Sequence, residues 1–212
     1  MQGSPNSELG KKLLEKKSRY QTIWQLHQRK GDTFYDRKRA ARLEAQQSDT
    51  VEAICFDFQK NLPCPNITTQ DVYYSRQLSF YSFNIHVLAT DRAFFYCYDE
   101  TVANKGSDDV SSMLFHYINN HLAPQVKHLK PFCDSCTGQN KNWTIFRFMY
   151  YLVHIQKRFD SITMCFPVRG HSYMECDRDI ASINQQLPCE TPQRLETTFH
   201  GCTEEARTIH GH

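Results

Sequence analysis

The sequence predicts an α/β domain, a mixed five-stranded sheet with helices on both faces, preceded by a basic helical segment. Three observations carry that expectation. Strand-like runs open the domain as a meander, and helical and strand-like segments then alternate to its end. The basic excess lies ahead of both, with eleven Lys or Arg against three acids from Lys11 to Arg42. The third is bulk: 212 residues, 40% of them apolar and 13% aromatic, suffice for a substantial core and argue against disorder.

Residues 8–48 are rich in Lys, Arg, Glu, Gln, Leu and Ala, broken by 30-KGDT-33. That composition predicts two helices around a Gly-Asp turn, with Asp32 or Thr33 as N-cap. Residues 51–58 (VEAICFDF) form a strand-like run, and 61–66 (NLPCPN) a turn-rich loop. Residues 80–89 and 93–100 are β-branched and aromatic segments joined at Thr90-Asp91-Arg92, which predicts a hairpin. Val110, Met113, Leu114, Tyr117, Ile118 and Leu122 recur at helical spacing, behind a cap at Ser107 or Asp108. A short strand follows in 127–134, a long apolar helix in 143–159, a strand in 161–168 and a last helix over 175–186. The organisation is thus a basic helical segment over 1–49, a core over 50–188 and a C-terminal tail over 189–212, read as a fragment end or a remnant.

Composition excludes several classes. The start is polar and basic with no secretory h-region, and no apolar run approaches the length of a membrane span. The nine cysteines therefore read as reduced, mostly buried thiols of an intracellular protein, and the sequons at Asn66 and Asn142 as accidental. Neither a phosphate-cradling G-x-x-x-x-G-K-[ST] loop nor a G-x-S-x-G elbow is present, which sets aside P-loop and serine-hydrolase readings of Ser135, Cys136 or Ser172 near His171.

The order β-β-β-α-β-α-β-α is that of the ribonuclease H-like fold. In a sheet whose first and fourth strands are neighbours, Asp57 inside the first and Asp134 at the end of the fourth lie side by side. Asp177, flanked by Glu175 and Asp179, opens the last helix near the same edge. A charge amid Ile54, Cys55, Phe56 and Phe58 is costly unless compensated. Three converging carboxylates repel one another, and a hard divalent cation is the usual relief. Two Mg²⁺ ions roughly 4 Å apart can activate a water or hydroxyl and stabilise a leaving phosphodiester oxygen. Each aspartate taken alone reads as a hydrogen-bonder, turn residue or cap; the joint pattern points to the metal.

The stretches 56-FDFQKNLPCP-65, 73-YYSRQLSFYSFNIH-86, 133-CDSCTGQNKN-142 and 170-GHSYMECDRDIASI-183 resemble a transposon-derived, uncharacterised domain family with a ribonuclease H-like core of DDE-transposase type. The resemblance implies that Asp57, Asp134 and Asp177 are the catalytic, metal-binding triad for Mg²⁺ or Mn²⁺. It implies that Gln139, Asn140, Lys141 and Asn142 lie beside the site, where they meet substrate phosphates. His171, by its place after Gly170, reads either as a group that supports the ligands or contacts phosphate or as an ordinary loop histidine. Implied with these are a DNA substrate, the nucleus, self-association and nuclease or strand-transfer chemistry without a small-molecule cofactor. The family pattern carries a Glu where this chain has Asn184, so Glu175 or Asp179 competes with Asp177 for the third corner. The basic segment is a candidate for contacting the DNA backbone.

Two rivals differ in class. One is a non-catalytic DNA- or protein-binding module on the same fold, favoured by Asn184 and the short chain. The other is a zinc site on Cys133 and Cys136, which needs two more ligands from Cys165, Cys176, Cys189 or His171. A thioredoxin-like use of that pair is disfavoured because Gly138-Gln139-Asn140 intervenes before the next helix.

Overall fold

The computed structural model describes residues 8–64, 76–184 and 206–208. The strands are β1 (Val51–Phe58), β2 (Leu62–Cys64), β3 (Leu78–Val87), β4 (Arg92–Asp99), β5 (His128–Cys133), β6 (Ser161–Ile162) and β7 (Ala206–Thr208). The helices are α1 (Glu8–Gln47), α2 (Ser107–Asn120), α3 (Trp143–Tyr150, continued by one π-helical turn, Tyr151–Ile155) and α4 (Glu175–Asn184). The sheet is mixed, in the order β6-β5-β1-β3-β4-β7, with β2 paired to β3. β1, β3 and β4 run antiparallel as a meander, whereas β5 lies parallel to β1 and β6 parallel to β5.

Alternation along the strands divides the core. Ile54, Phe56, Phe83, Ile85 and Phe94 pack under α2 and α3, joined by Val110, Met113, Leu114, Ile145 and Leu152. Ala53, Cys55, Leu88 and Phe132 face the other way and are covered by Phe34 and Ala41 of α1 and by Met174 and Cys176 at the start of α4. The expected mixed sheet with helices on both faces is present. Among the described residues it has seven strands rather than five, because Leu62–Cys64 pairs with β3 where a loop was expected. Ala206–Thr208, in the expected tail, pairs with β4.

Other expectations need correction. Residues 8–47 form one helix, not two around 30-KGDT-33. Gly31 stands where a helix meets a neighbour closely: a Cβ there would approach His171 Nδ1 to 2.6 Å. Thr33 does not cap; its hydroxyl donates to the Arg29 carbonyl within the helix at 2.7 Å. Gly31, Phe34, Lys38 and Ala41 are all buried, a stripe at three- and four-residue spacing that packs on the sheet. Gly106, not Ser107 or Asp108, is the N-cap of α2, its N–H donating to Asp109 Oδ2 at 2.9 Å.

The helix expected over 143–159 ends at Ile155, and Lys157 turns the chain out in the left-handed region (φ 54°). The strand expected over 161–168 is short because Pro131 of β5 has no N–H to give. Its carbonyl accepts from Cys165 N at 2.9 Å, so the missing donor faces β6, and only an isolated Phe132–Cys165 bridge follows. Among the described residues Cys55, Cys97, Cys133, Cys136, Cys165 and Cys176 are free thiols. No described helix is long and apolar enough to cross a membrane. The sequon at Asn66 and the cysteine at 189 lie outside the described residues.

Candidate functional site

The parallel pairing of β1 with β5 runs up to Phe56 opposite Cys133, so Asp57 and Asp134 fall on the next rung. Strand alternation sends Asp57 to the face of Ala53 and Cys55, the face that α4 covers. Asp177 stands in the first turn of α4. The local sequence holds each carboxylate by one oxygen. Asp57 Oδ1 accepts from Phe58 N at 2.7 Å. Asp134 Oδ1 accepts from Cys136 N at 3.1 Å and from Asn140 Nδ2 at 2.6 Å. Asp177 Oδ2 accepts from Met174 N at 2.8 Å, closing the start of the helix. The second oxygen of each has no hydrogen-bond partner among the described residues.

The three acids feel one another. Burial, then the charge of Asp134, pushes the Asp57 carboxyl up to about 7 from its usual 3.8. The Phe58 N–H and Lys105 oppose the rise, and Asp177 adds to it. Lys105 reaches the site from the β4–α2 loop, donating to Gln59 O at 2.6 Å and Asn61 Oδ1 at 3.0 Å above the Phe58 ring. No sequence signal marks it, because its place depends on two loops folding together.

The other acids of α4 are engaged elsewhere. Glu175 forms a largely buried ion pair with Lys38 at 2.8 Å and accepts the Cys55 thiol at 3.5 Å. Asp179 meets the fully buried His86 Nδ1 at 2.7 Å. Of the three, Asp177 is the one whose charge reaches Asp57. The side chain of Asn184 lies outside the described residues.

Around Asp134 the loop 136–142 folds on itself, with the N–H groups of Gln139, Asn140 and Lys141 all donating to Cys136 O. Asn140 is buried and touches Asp134 directly. Asn142 is used as the N-cap of α3, accepting from Ile145 N at 3.1 Å. Lys141 lies over the Phe166 ring, and Gln139 is half-buried. His171 is packed against α1, its ring 4.9 Å from that of His27 and in contact with Gly31.

In kind, the donor set suits a hard divalent cation: three carboxylates, each fixed by one oxygen with the other unengaged. It is not drawn tight, because among the described residues no three His, Cys, Asp or Glu side chains form a group that could hold a metal ion. The same observation leaves Cys133 and Cys136 without a described zinc partner set. Cys133 points into the opposite core, where burial holds its thiol well above the usual range.

A buried polar row on β3 also escaped the sequence reading. Ser82, Asn84 and His86 are almost wholly inaccessible on the face beneath α4, and Asn84 is the register partner of Asp57. The alternation in 82-SFNIH-86 was the available signal; it looks like a solvent face until α4 covers it.

A family described as Domain of unknown function (DUF7869) matches residues 83–210, which include Asn84, Asp134 and Asp177. No curated protein matches the chain.

Proposed function

We propose that this chain, which belongs to the DUF7869 family, is a metal-dependent nuclease- or strand-transferase-like domain acting on DNA phosphodiesters. The observation that carries the reading is Asp57. It is a carboxylate in an apolar strand, raised to about 7 by burial and by Asp134, with Asp177 adding to the same field. A carboxylate raised both by burial and by a like-charged partner is a functional-site candidate. The strand order, with β5 beside β1 and β1-β3-β4 as a meander, is the order a ribonuclease H-like core requires and supports that fold assignment.

In this reading Asp57, Asp134 and Asp177 hold Mg²⁺ or Mn²⁺. The bound cation supplies a lowered pKa for a nucleophilic water or hydroxyl and charge for the leaving oxygen. Asp57 must release its proton for the site to load. Asn140 and the Cys136 N–H orient Asp134, and the Met174 N–H orients Asp177. Lys105 stands near Asp57 as the cation beside the site, and Lys141 and Gln139 border the loop that holds Asp134. The basic α1 supplies contacts to the DNA backbone, which would set the protein to work in the nucleus.

A second reading has its own support. The acids are not gathered into a ligand group, and Asp177 serves as a helix-capping residue, as in a domain that keeps the fold to bind DNA or protein without chemistry. Incubating the chain with single-stranded and duplex DNA in Mg²⁺ or Mn²⁺ separates the two. Metal-dependent strand cleavage or joining, abolished by Asp57→Asn and by Asp134→Asn, is the expected result. DNA binding without any metal-dependent product from the unaltered chain overturns the catalytic reading and leaves the binding module.

A further inference from the structure

We propose that Asn84 belongs to the acid site, its amide oxygen joining the carboxylates of Asp57, Asp134 and Asp177 as a ligand of a hard divalent cation. The inference rests on the reading of those acids as a cation site and adds a neutral ligand from a fourth element, β3.

Asn84 is fully buried, and neither its Oδ1 nor its Nδ2 has a hydrogen-bond partner among the described residues. An unmet buried amide group is costly, so a chain that keeps two such atoms forgoes a simpler apolar side chain there. The neighbours on the same row each keep a side-chain partner. The Ser82 hydroxyl receives the Cys97 thiol at 3.8 Å, and His86 is bonded to Asp179. His86 Nε2 and, beside Asp134, Asn140 Oδ1 also lack a hydrogen-bond partner among the described residues, but Asn84 is unmet at both of its side-chain atoms and shares its rung with Asp57.

Above it lies Cys176, whose thiol approaches the main-chain carbonyl of Asn84 to 3.8 Å. Asn84 thus sits between the strand that carries Asp57 and the helix turn that carries Asp177. An amide carbonyl is a hard oxygen donor of the kind that accompanies carboxylates around Mg²⁺ and Ca²⁺. Being neutral, it adds a ligand without adding to the repulsion that already raises Asp57.

Mn²⁺ titration followed by electron paramagnetic resonance, with thermal unfolding of the metal-free protein, tests this on the full chain and on Asn84→Leu and Asn84→Asp. Asn84→Leu is expected to unfold at a higher temperature without metal, since it removes two unmet polar atoms. Its Mn²⁺ affinity is expected to fall about tenfold or more. Asn84→Asp is expected to bind Mn²⁺ at least as tightly as the unaltered chain and to unfold earlier without it, a fourth charge having joined three. Unchanged Mn²⁺ affinity in Asn84→Leu overturns the role of Asn84 and leaves the acid site standing. Should Asn84→Leu not fold, weaker Mn²⁺ binding by Asn84→Asp than by the unaltered chain overturns it equally. No Mn²⁺ binding by either the unaltered chain or Asn84→Asp overturns both.

Discussion

A carboxyl that titrates near neutrality in the native chain makes stability depend on pH in a direction opposite to an ordinary paired aspartate. Asp57 is raised to about 7 by burial first and by Asp134 second, against 3.8 when free of those influences. Between those values the native state holds a proton that the unfolded chain has lost, so stability falls as pH rises through the window. The difference amounts to roughly 4 kcal/mol between pH 4 and pH 8. Asp57→Asn removes the titration while keeping the shape. Urea unfolding at pH 5, 6.5 and 8 should show the variant gaining on the parent as pH rises, with the largest advantage at pH 8. Parallel pH profiles for the two proteins would mean that Asp57 is not held in this strained state.

Elements were legible in the sequence to different degrees, and the reasons are physical. The strand at 51–58, the hairpin around Asp91 and the helix behind Gly106 announce themselves through alternation, a turn and a 3.6-residue period. Asp57 and Asp134 could be paired from order alone, since a parallel β1–β5 contact follows from helix–strand alternation. What stayed hidden depends on partners distant in sequence. Pro131 shortens β6 only because its missing donor faces that strand, and Asn84 is buried only because α4 covers it.

Gly31 reads as a turn, yet it serves a close approach between α1 and His171. A double-mutant cycle checks that account. In a helix interior Gly→Ala gains about 1 kcal/mol from backbone entropy alone. That gain should appear when Gly31→Ala is made together with His171→Ala. With His171 present the Cβ displaces the imidazole from its place beside His27, and most of the gain should be lost. Equal effects in both backgrounds, read by thermal or urea unfolding, would show that the contact has no energetic weight.

The molecule as a whole combines an acidic edge with a basic extension, and α1 joins them. Phe34 stacks edge-on with Phe132 at 5.7 Å, Lys38 pairs with Glu175, and Gly31 meets His171. These contacts set residues 31–34 of α1 level with the end of β5, where Asp134 follows. The helix does not stop there. Residues 8–30 continue beyond that edge for about 34 Å, with seven Lys and Arg against two acids. They carry exposed Leu13, Tyr20 and Trp24. At about 100° per residue those three lie within about 20° of the Gly31 direction, so the extension presents the same face that packs on the sheet.

On the proposed reading, a DNA strand approaching three carboxylates needs positive charge to draw it in, and the exposed lysines of this helix are a large source of it. Exchanging Lys11, Lys12, Lys16 and Lys17 for Gln should therefore weaken DNA binding and reduce the dependence of its logarithm on log salt by up to about four units. Mn²⁺ affinity and the unfolding temperature should stay unchanged, because all four side chains are exposed. A salt slope equal to that of the unaltered chain would take DNA off α1 and leave these charges as a solvated helix face.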